Sequence, residues 1–124
     1  MKEKVIFIAE AGVNHNGRIA KAKKLIDGAV QARADYVKFQ TFDADKLTSP
    51  LTPKSYYQKK NIKNKKFISQ HKMLKNLQLS IKDHYIFKKY ANKKGIKFLS
   101  SAFDINSLRF LSKLKVDYIK IPSG

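Results

Sequence analysis

The chain has 124 residues, 27 lysines and arginines against 9 aspartates and glutamates, a formal net charge of +18, and 43% hydrophobic residues. That length suits one small domain rather than several, and the apolar content excludes a charge-extended disordered chain. Cysteine is absent, which excludes a disulfide scaffold, a thiolate nucleophile and a thiolate metal site, and agrees with a reducing compartment.

The amino end begins like a signal peptide, Met1-Lys2-Glu3-Lys4 and then Val5-Ile6-Phe7-Ile8-Ala9, but the apolar run stops at Glu10 and is too short for a secretory core. Nothing elsewhere approaches the roughly 20 apolar residues that span a bilayer, so the expected location is the cytoplasm. The Val5–Ala9 run is rich in β-branched residues and leads into Gly12 and Asn14-His15-Asn16-Gly17. It predicts a strand buried on both faces that opens into a loop. From Arg18 to Ala34 the apolar residues Ala22, Leu25, Ile26, Ala29 and Val30 recur at three and four, with Lys21, Lys23, Lys24 and Asp27 between them, which predicts an amphipathic helix. Tyr36–Gln40 has strand composition. Strand, helix, strand in that order implies a parallel crossover.

Pro50 and Pro53 break the next stretch, and lysines crowd it from Lys54 to Lys66, so Thr41 to Lys66 reads as a long loop, followed by a short helix near Phe67–Leu77. Ser80 and Asp83 form a capping-box pattern, Tyr85, Ile86, Tyr90 and Ala91 continue a helical stripe, and Gly95 ends it, giving a helix over Ile81–Lys94. A third strand is predicted at Ile96–Ser100, a helix along Ile105, Leu108, Phe110, Leu111 and Leu114, and a fourth strand at Tyr118–Ile121. Four strands alternating with helices fit either half of a (β/α)8 barrel, whose complete form takes about 250 residues, or a small doubly wound sheet. Periodicity does not separate the two.

In either architecture ligands bind at the carboxyl ends of the strands. Glu10 closes the first strand, Lys38 and Gln40 lie in the second, Ser100 and Ser101 close the third, and Lys120 lies in the fourth with Ser123 just beyond. Lys38 and Lys120 are flanked by apolar neighbours, and an inward lysine there needs an anion. Two lysines and several hydroxyls at one mouth suit a phosphate, with or without a carboxylate, while Glu10 is suited to binding a hydroxyl or moving a proton. The plainer alternative is that the lysines reach outward and Glu10 caps a turn.

His15, between two asparagines, organises its turn or binds a ligand, whereas His71 and His84 show no metal-ligand spacing and read as surface or packing residues. No Ser-His-Asp arrangement, Walker loop or dinucleotide fingerprint is present. The charge invites a nucleic-acid reading, but the lysines are spread over every helix and arginine numbers only three, which favours a solvated basic surface. Lys54–Lys66 is the best candidate for an electrostatic contact.

Four segments in order, Ile8-Ala9-Glu10-Ala11-Gly12-Val13-Asn14-His15-Asn16-Gly17, Val37-Lys38-Phe39-Gln40-Thr41, Phe98-Leu99-Ser100-Ser101-Ala102-Phe103-Asp104 and Ile119-Lys120-Ile121-Pro122-Ser123-Gly124, make the chain resemble the sialic acid synthases, including the legionaminic and pseudaminic acid synthases. The resemblance covers essentially the whole chain. It implies the amino-terminal half of a (β/α)8 TIM barrel, with about four parallel strands, and an aldol-type condensation of phosphoenolpyruvate with N-acetylmannosamine or a related amino sugar that releases phosphate. A divalent metal, Mn²⁺ or Mg²⁺, is implied for the complete protein, with no metal ligand in this chain. Lys38, Lys120, Ser101 and Ser123 match positions that bind phosphoenolpyruvate, and Glu10 and Gln40 match positions that face the sugar. Ser101 stands where many members have threonine, which keeps the hydroxyl.

Members of that family continue past the Ser-Gly pair with a glutamate, a second half barrel carrying two metal-binding histidines, and a carboxy-terminal antifreeze-like domain in a homodimer. Residues 1–124 are therefore expected to be a partial synthase domain, inactive alone, with two unpaired strand edges and poor solubility or self-association. The rival readings are a basic non-catalytic binding module and another barrel enzyme acting on phosphoenolpyruvate or a sugar phosphate.

Overall fold

A computed structural model describes residues 3–47 and 70–123. Its elements, in chain order, are β1 (Ile8–Gly12), α1 (Ile19–Gln31), β2 (Tyr36–Thr41), α2 (Ala44–Leu47), α3 (Gln70–Leu77), α4 (Ile81–Lys94), β3 (Lys97–Ala102) and α5 (Ile105–Leu114). The strands form one parallel sheet in the order β1-β2-β3. Parallel neighbours require crossovers, and α1 and α4 lie on the two crossover segments.

Side chains alternate along each strand, so the sheet has two unlike faces. Val37 and Phe39 of β2, Phe98 of β3 and Ala11 of β1 are buried with Ala22, Ile26 and Ala29 of α1, Phe87 and Ala91 of α4, and Leu111 and Leu114 of α5. Phe39 is central, with ring centroids 5.4 Å from Phe87 and 5.6 Å from Phe98. The opposite face carries Glu10, Lys38, Gln40 and Ser101, the alternate residues of the same strands.

Local signals hold the helices where the pattern puts them. Ser80 Oγ accepts from the Asp83 amide at 3.1 Å while an Asp83 carboxylate oxygen accepts from the Ser80 amide at 3.0 Å, a reciprocal capping box, and Gly95 ends α4 with φ 81°. The α5 amino end is capped by Asp104, which accepts from the Ser107 amide at 2.8 Å.

Several boundaries differ from expectation. The first strand begins at Ile8 rather than Val5 and is not buried on both faces: Val5 and Phe7 are 68% and 65% exposed. Phe7 is instead tethered by backbone, its N–H donating to the Asp35 carboxylate at 2.9 Å and its carbonyl accepting from the Asp35 amide at 2.8 Å. The third strand runs to Ala102, past the expected end at Ser100. In place of a fourth strand the structure has a single parallel bridge between Ser101 and Lys120, with one backbone bond from the Ala102 amide to the Lys120 carbonyl at 3.4 Å. The Tyr118 ring turns edge-on to Tyr36, centroids 5.5 Å apart, and Ile119 and Ile121 stay exposed. The short helix α2 lies in the segment expected to be loop, and the observed part of the next helix is Gln70–Leu77. The lysine run Lys54–Lys66 lies outside the described residues. No helix among the described residues is long and apolar enough to cross a membrane.

Candidate active site

The open face gathers its chemistry around Lys38. In the register of the sheet Glu10 pairs with Lys38, and Gln40 pairs with Ser101. Lys38 Nζ sits 2.5 Å from Glu10 Oε2 and donates to Ser101 Oγ at 3.0 Å. The Lys38 side chain is 13% exposed and that of Glu10 52%, so the ammonium is sheltered while its carboxylate partner reaches solvent. An ammonium has three N–H donors, and these contacts use two of them.

Glycine 12 shapes the rim. The β1 register shifts between Glu10 and Gly12, a bulge that re-aims the strand end, and Gly12 has φ 54°. A Cβ there would lie 3.2 Å from Glu10 Oε1 and 3.5 Å from Gln40 Nε2, so both side chains flank the same bare backbone. Glu10, Lys38, Gln40 and Ser101 are thus brought together as the sequence pattern predicts.

Lys120 and Ser123 are not joined to them. The bridge sets Lys120 beside Ser101, but Lys120 is exposed and its Nζ donates to the neighbouring Ile121 carbonyl at 2.9 Å. Ser123 is exposed, and among the described residues no hydrogen bond connects it or Lys120 Nζ to the cluster. A strand held by one backbone bond does not fix the direction of its side chains.

The histidines resolve into three roles. His15 organises its turn, as expected: Nδ1 accepts from the Gly17 amide at 2.9 Å, and the ring is fully buried, 6.0 Å from the Phe39 ring. Its Nε2 therefore carries the proton and has no hydrogen-bond partner among the described residues. Burial holds its pKa below the ordinary imidazole value, and nearby His84 adds to that while Asp83 opposes it. His71 contacts Asp45 at 2.6 Å, and Lys75 reaches the same carboxylate at 3.1 Å, a surface cluster between α2 and α3. His84 is a buried packing residue, as expected, but it also binds polar groups. Its Nδ1 lies 2.7 Å from the Ser80 carbonyl and its Nε2 2.7 Å from Thr41 Oγ1, which is 2.6 Å from Ser100 Oγ.

This Thr41–His84–Ser100 network escaped the sequence reading. Its signal was available: Thr41 and Ser100 alternate with Gln40 and Ser101, so period two sends them to the helix-covered face, where buried hydroxyls need partners.

At the amino end of the open face Tyr36 Oη donates to Asp117 at 2.8 Å and Lys97 Nζ contacts that carboxylate at 2.7 Å. The lysine, then the phenol, hold the Asp117 pKa below its ordinary value, while the bond to Asp117 raises that of Tyr36. Among the described residues no group of three His, Asp or Glu side chains comes together as a metal site requires.

Parallel strands backed by helices, with a lysine, a glutamate, a glutamine and a serine gathered on the open face, define the polar mouth of a βα-barrel type of protein. The comparisons carry this further. The profile of the NeuB family matches residues 25–124, and the chain belongs to that family. It is 50% identical over 118 residues to N,N'-diacetyllegionaminic acid synthase of Legionella pneumophila, covering 95% of this chain and 33% of that one. With the synthase of the same name from Campylobacter jejuni the identity is 44% over 122 residues, covering 98% and 36%. Among solved structures, the N-acetylneuraminic acid synthetase of Leptospira borgpetersenii superposes with a TM-score of 0.71 at 29% identity, covering 96% of this chain and 36% of that one. The chain therefore spans about a third of the length of the curated relatives it matches, and its architecture is that of the amino-terminal half of a barrel.

Proposed function

We propose that this chain supplies the phosphoenolpyruvate-binding side of a nonulosonic acid synthase, which joins phosphoenolpyruvate to N-acetylmannosamine or a related amino sugar. The observation that carries the reading is Lys38 Nζ, held between Glu10 and Ser101 on the open face of a NeuB-family sheet. In the overall reaction the methylene carbon of phosphoenolpyruvate bonds to the carbonyl carbon of the open-chain sugar, one water is consumed, and phosphate leaves.

In this reading Lys38 and the Ser101 hydroxyl bind anionic oxygens of phosphoenolpyruvate, and Lys120 and Ser123 complete the pocket once the bridge beside Ser101 is ordered by ligand. A charge-assisted N–H⋯O bond is roughly twice as strong as a neutral one, and the sheltered position of Lys38 keeps solvent from weakening it. Gln40 and Glu10, both beside Gly12, turn toward the sugar. Glu10 accepts a sugar hydroxyl with the carboxylate oxygen that does not hold Lys38, so one ion pair links the two substrate sites. A divalent metal belongs to residues outside this segment, and no step assigned here uses it.

The test is calorimetric titration of phosphoenolpyruvate into the complete polypeptide that carries these residues. Lys38→Ala should weaken binding by about a hundredfold, in line with loss of a charged hydrogen bond in a sheltered site. Unchanged affinity removes the assignment. Residues 1–124 alone should release no phosphate from phosphoenolpyruvate and an amino sugar, and robust metal-dependent release from them would contradict the division of labour.

A further inference from the structure

We infer that Thr41, Ser100 and His84 form a positioning device that braces, from behind the sheet, the residues of the open face. The inference rests on the phosphoenolpyruvate reading for its ligand but on the geometry of the covered face for its substance.

The direction of every hydrogen bond in the group follows from chemistry. The Ser80 carbonyl can only accept, so His84 Nδ1 carries the proton that reaches it at 2.7 Å. The imidazole is neutral, since burial lowers its pKa more than the Ser80 bond and Asp83 raise it, so Nε2 is an acceptor. Thr41 therefore donates to Nε2 at 2.7 Å, and Ser100 donates to Thr41 Oγ1 at 2.6 Å. His84, Thr41 and Ser100 are 2%, 5% and 0% exposed, and each hydrogen carried by these groups has an acceptor. The rings of Phe98 and Phe110 stand edge-on to the imidazole at 6.3 and 5.0 Å, and the titratable groups nearest it are Asp83 and the ring of His15.

Position gives the network its purpose. Ser100 pairs with Phe39 in the ladder and Gln40 with Ser101, so the Thr41–Ser100 bond is a diagonal tie across β2 and β3. Each end lies one residue from a residue of the site, Gln40 or Ser101. A slip of one residue between these strands would exchange their faces and carry Lys38 away from Ser101. Valine and alanine would satisfy a buried strand face without a partner; the tie pins the register by penalising any arrangement that leaves its hydroxyls unpaired. His84 then fastens the tie to the first turn of α4, whose own start is fixed by the Ser80–Asp83 box.

These are positioning residues, since none touches the open face. The experiment compares Thr41→Val, Ser100→Ala and the conservative Thr41→Ser in the complete polypeptide, all well below their melting temperatures. Two readouts are used: phosphoenolpyruvate affinity, and the exchange rate of the Lys38 ammonium protons in selectively ¹⁵N-lysine-labelled protein without ligand. Thr41→Val and Ser100→Ala should each weaken binding by about tenfold, less than the roughly hundredfold that a full ångström of misplacement can cost, and should speed Lys38 proton exchange. Thr41→Ser should restore both. Wild-type affinity and exchange in folded Thr41→Val, or in folded Ser100→Ala where the valine variant does not fold, would reduce the network to packing and overturn the inference. If Lys38→Ala leaves phosphoenolpyruvate affinity unchanged, the substrate reading has failed instead, and the ligand-free exchange rate alone decides whether the brace exists.

Discussion

The two faces of one three-stranded sheet divide the work of this molecule. On the covered face Val37, Phe39 and Phe98 are buried against three helices, and the polar residues among them, Thr41 and Ser100, are completely paired. On the open face, one residue along in the same strands, Lys38 holds an ion pair whose carboxylate is half exposed. The difference teaches that stability and chemistry can be separated by a period of two. Substitutions at neighbouring positions should then have opposite effects, one on folding and the next on ligand binding.

Phe39→Ala should do the most damage to folding. The side chain is fully buried and stacked between Phe87 and Phe98. Its loss should cost about 3–5 kcal/mol in a denaturant titration. A cost under about 1 kcal/mol would mean that the covered face is not the packed one.

Gly17→Ala comes next and tests the loop between β1 and α1. Gly17 has φ 70°, and a Cβ there would come within 2.5 Å of the Asn76 carbonyl oxygen, a backbone atom at the end of α3. Left-handed backbone and overpacking together predict about 2–4 kcal/mol. If the melting temperature does not move, α3 does not dock on this loop.

Lys38→Met should show the opposite pattern to Phe39→Ala. The variant keeps an aliphatic stem in the sheet and frees a half-exposed Glu10, so stability should change by less than about 1 kcal/mol. Phosphoenolpyruvate binding should fall sharply at the same time. A variant that unfolds while ligand affinity per folded molecule is preserved would reverse the assignment of the two faces.

How much of this was legible in the sequence follows the range of each interaction. The α4 helix was readable because Ser80, Asp83 and Gly95 act within a few residues of themselves. The open-face cluster was readable too, since Glu10, Lys38, Gln40 and Ser101 fall at strand ends and period two places them together. The start of β1 was not: Val5–Phe7 is as apolar as a strand, and only the distant Asp35 decides that Phe7 is tethered outside the ladder. Tyr118–Ile121 has strand composition, yet a strand needs a ladder, and among the described residues Lys120 finds one backbone donor. The four-residue helix α2 is too short to show a period. The Thr41–His84–Ser100 group joins residues 43 and 59 positions apart: period two sends Thr41 and Ser100 to the covered face, but no local pattern names His84 as their partner.

The smallest predicted effect is a dependence of stability on pH that belongs to the covered face alone. His84 and His15 are both buried there, and burial, the largest cause for each, holds their pKa below the ordinary 6.5. The unfolded chain therefore binds protons first as pH falls through 6.5, and stability must decline from there down to the folded-state pKa values. The lowered carboxylates act elsewhere on the scale. Asp117 is held down by hydrogen bonds from Lys97 and Tyr36 and Asp45 by those to His71 and Lys75, whereas burial pulls Asp104 up and is outweighed by the amides of Ser107 and Asp43. Their contribution is complete above 3.8 and is lost only as pH falls below it. Among the described residues with a shifted pKa, His84 and His15 are the ones that act between these windows. Denaturation midpoints should thus fall between pH 7.5 and pH 5, and His84→Gln, which keeps a polar side chain without a titratable ring, should flatten part of the slope, the remainder being due to His15. A slope unchanged in that variant would place the titrating group outside the brace, and a slope of opposite sign would mean that His84 is charged in the fold, which would also reverse the hydrogen bond from Thr41.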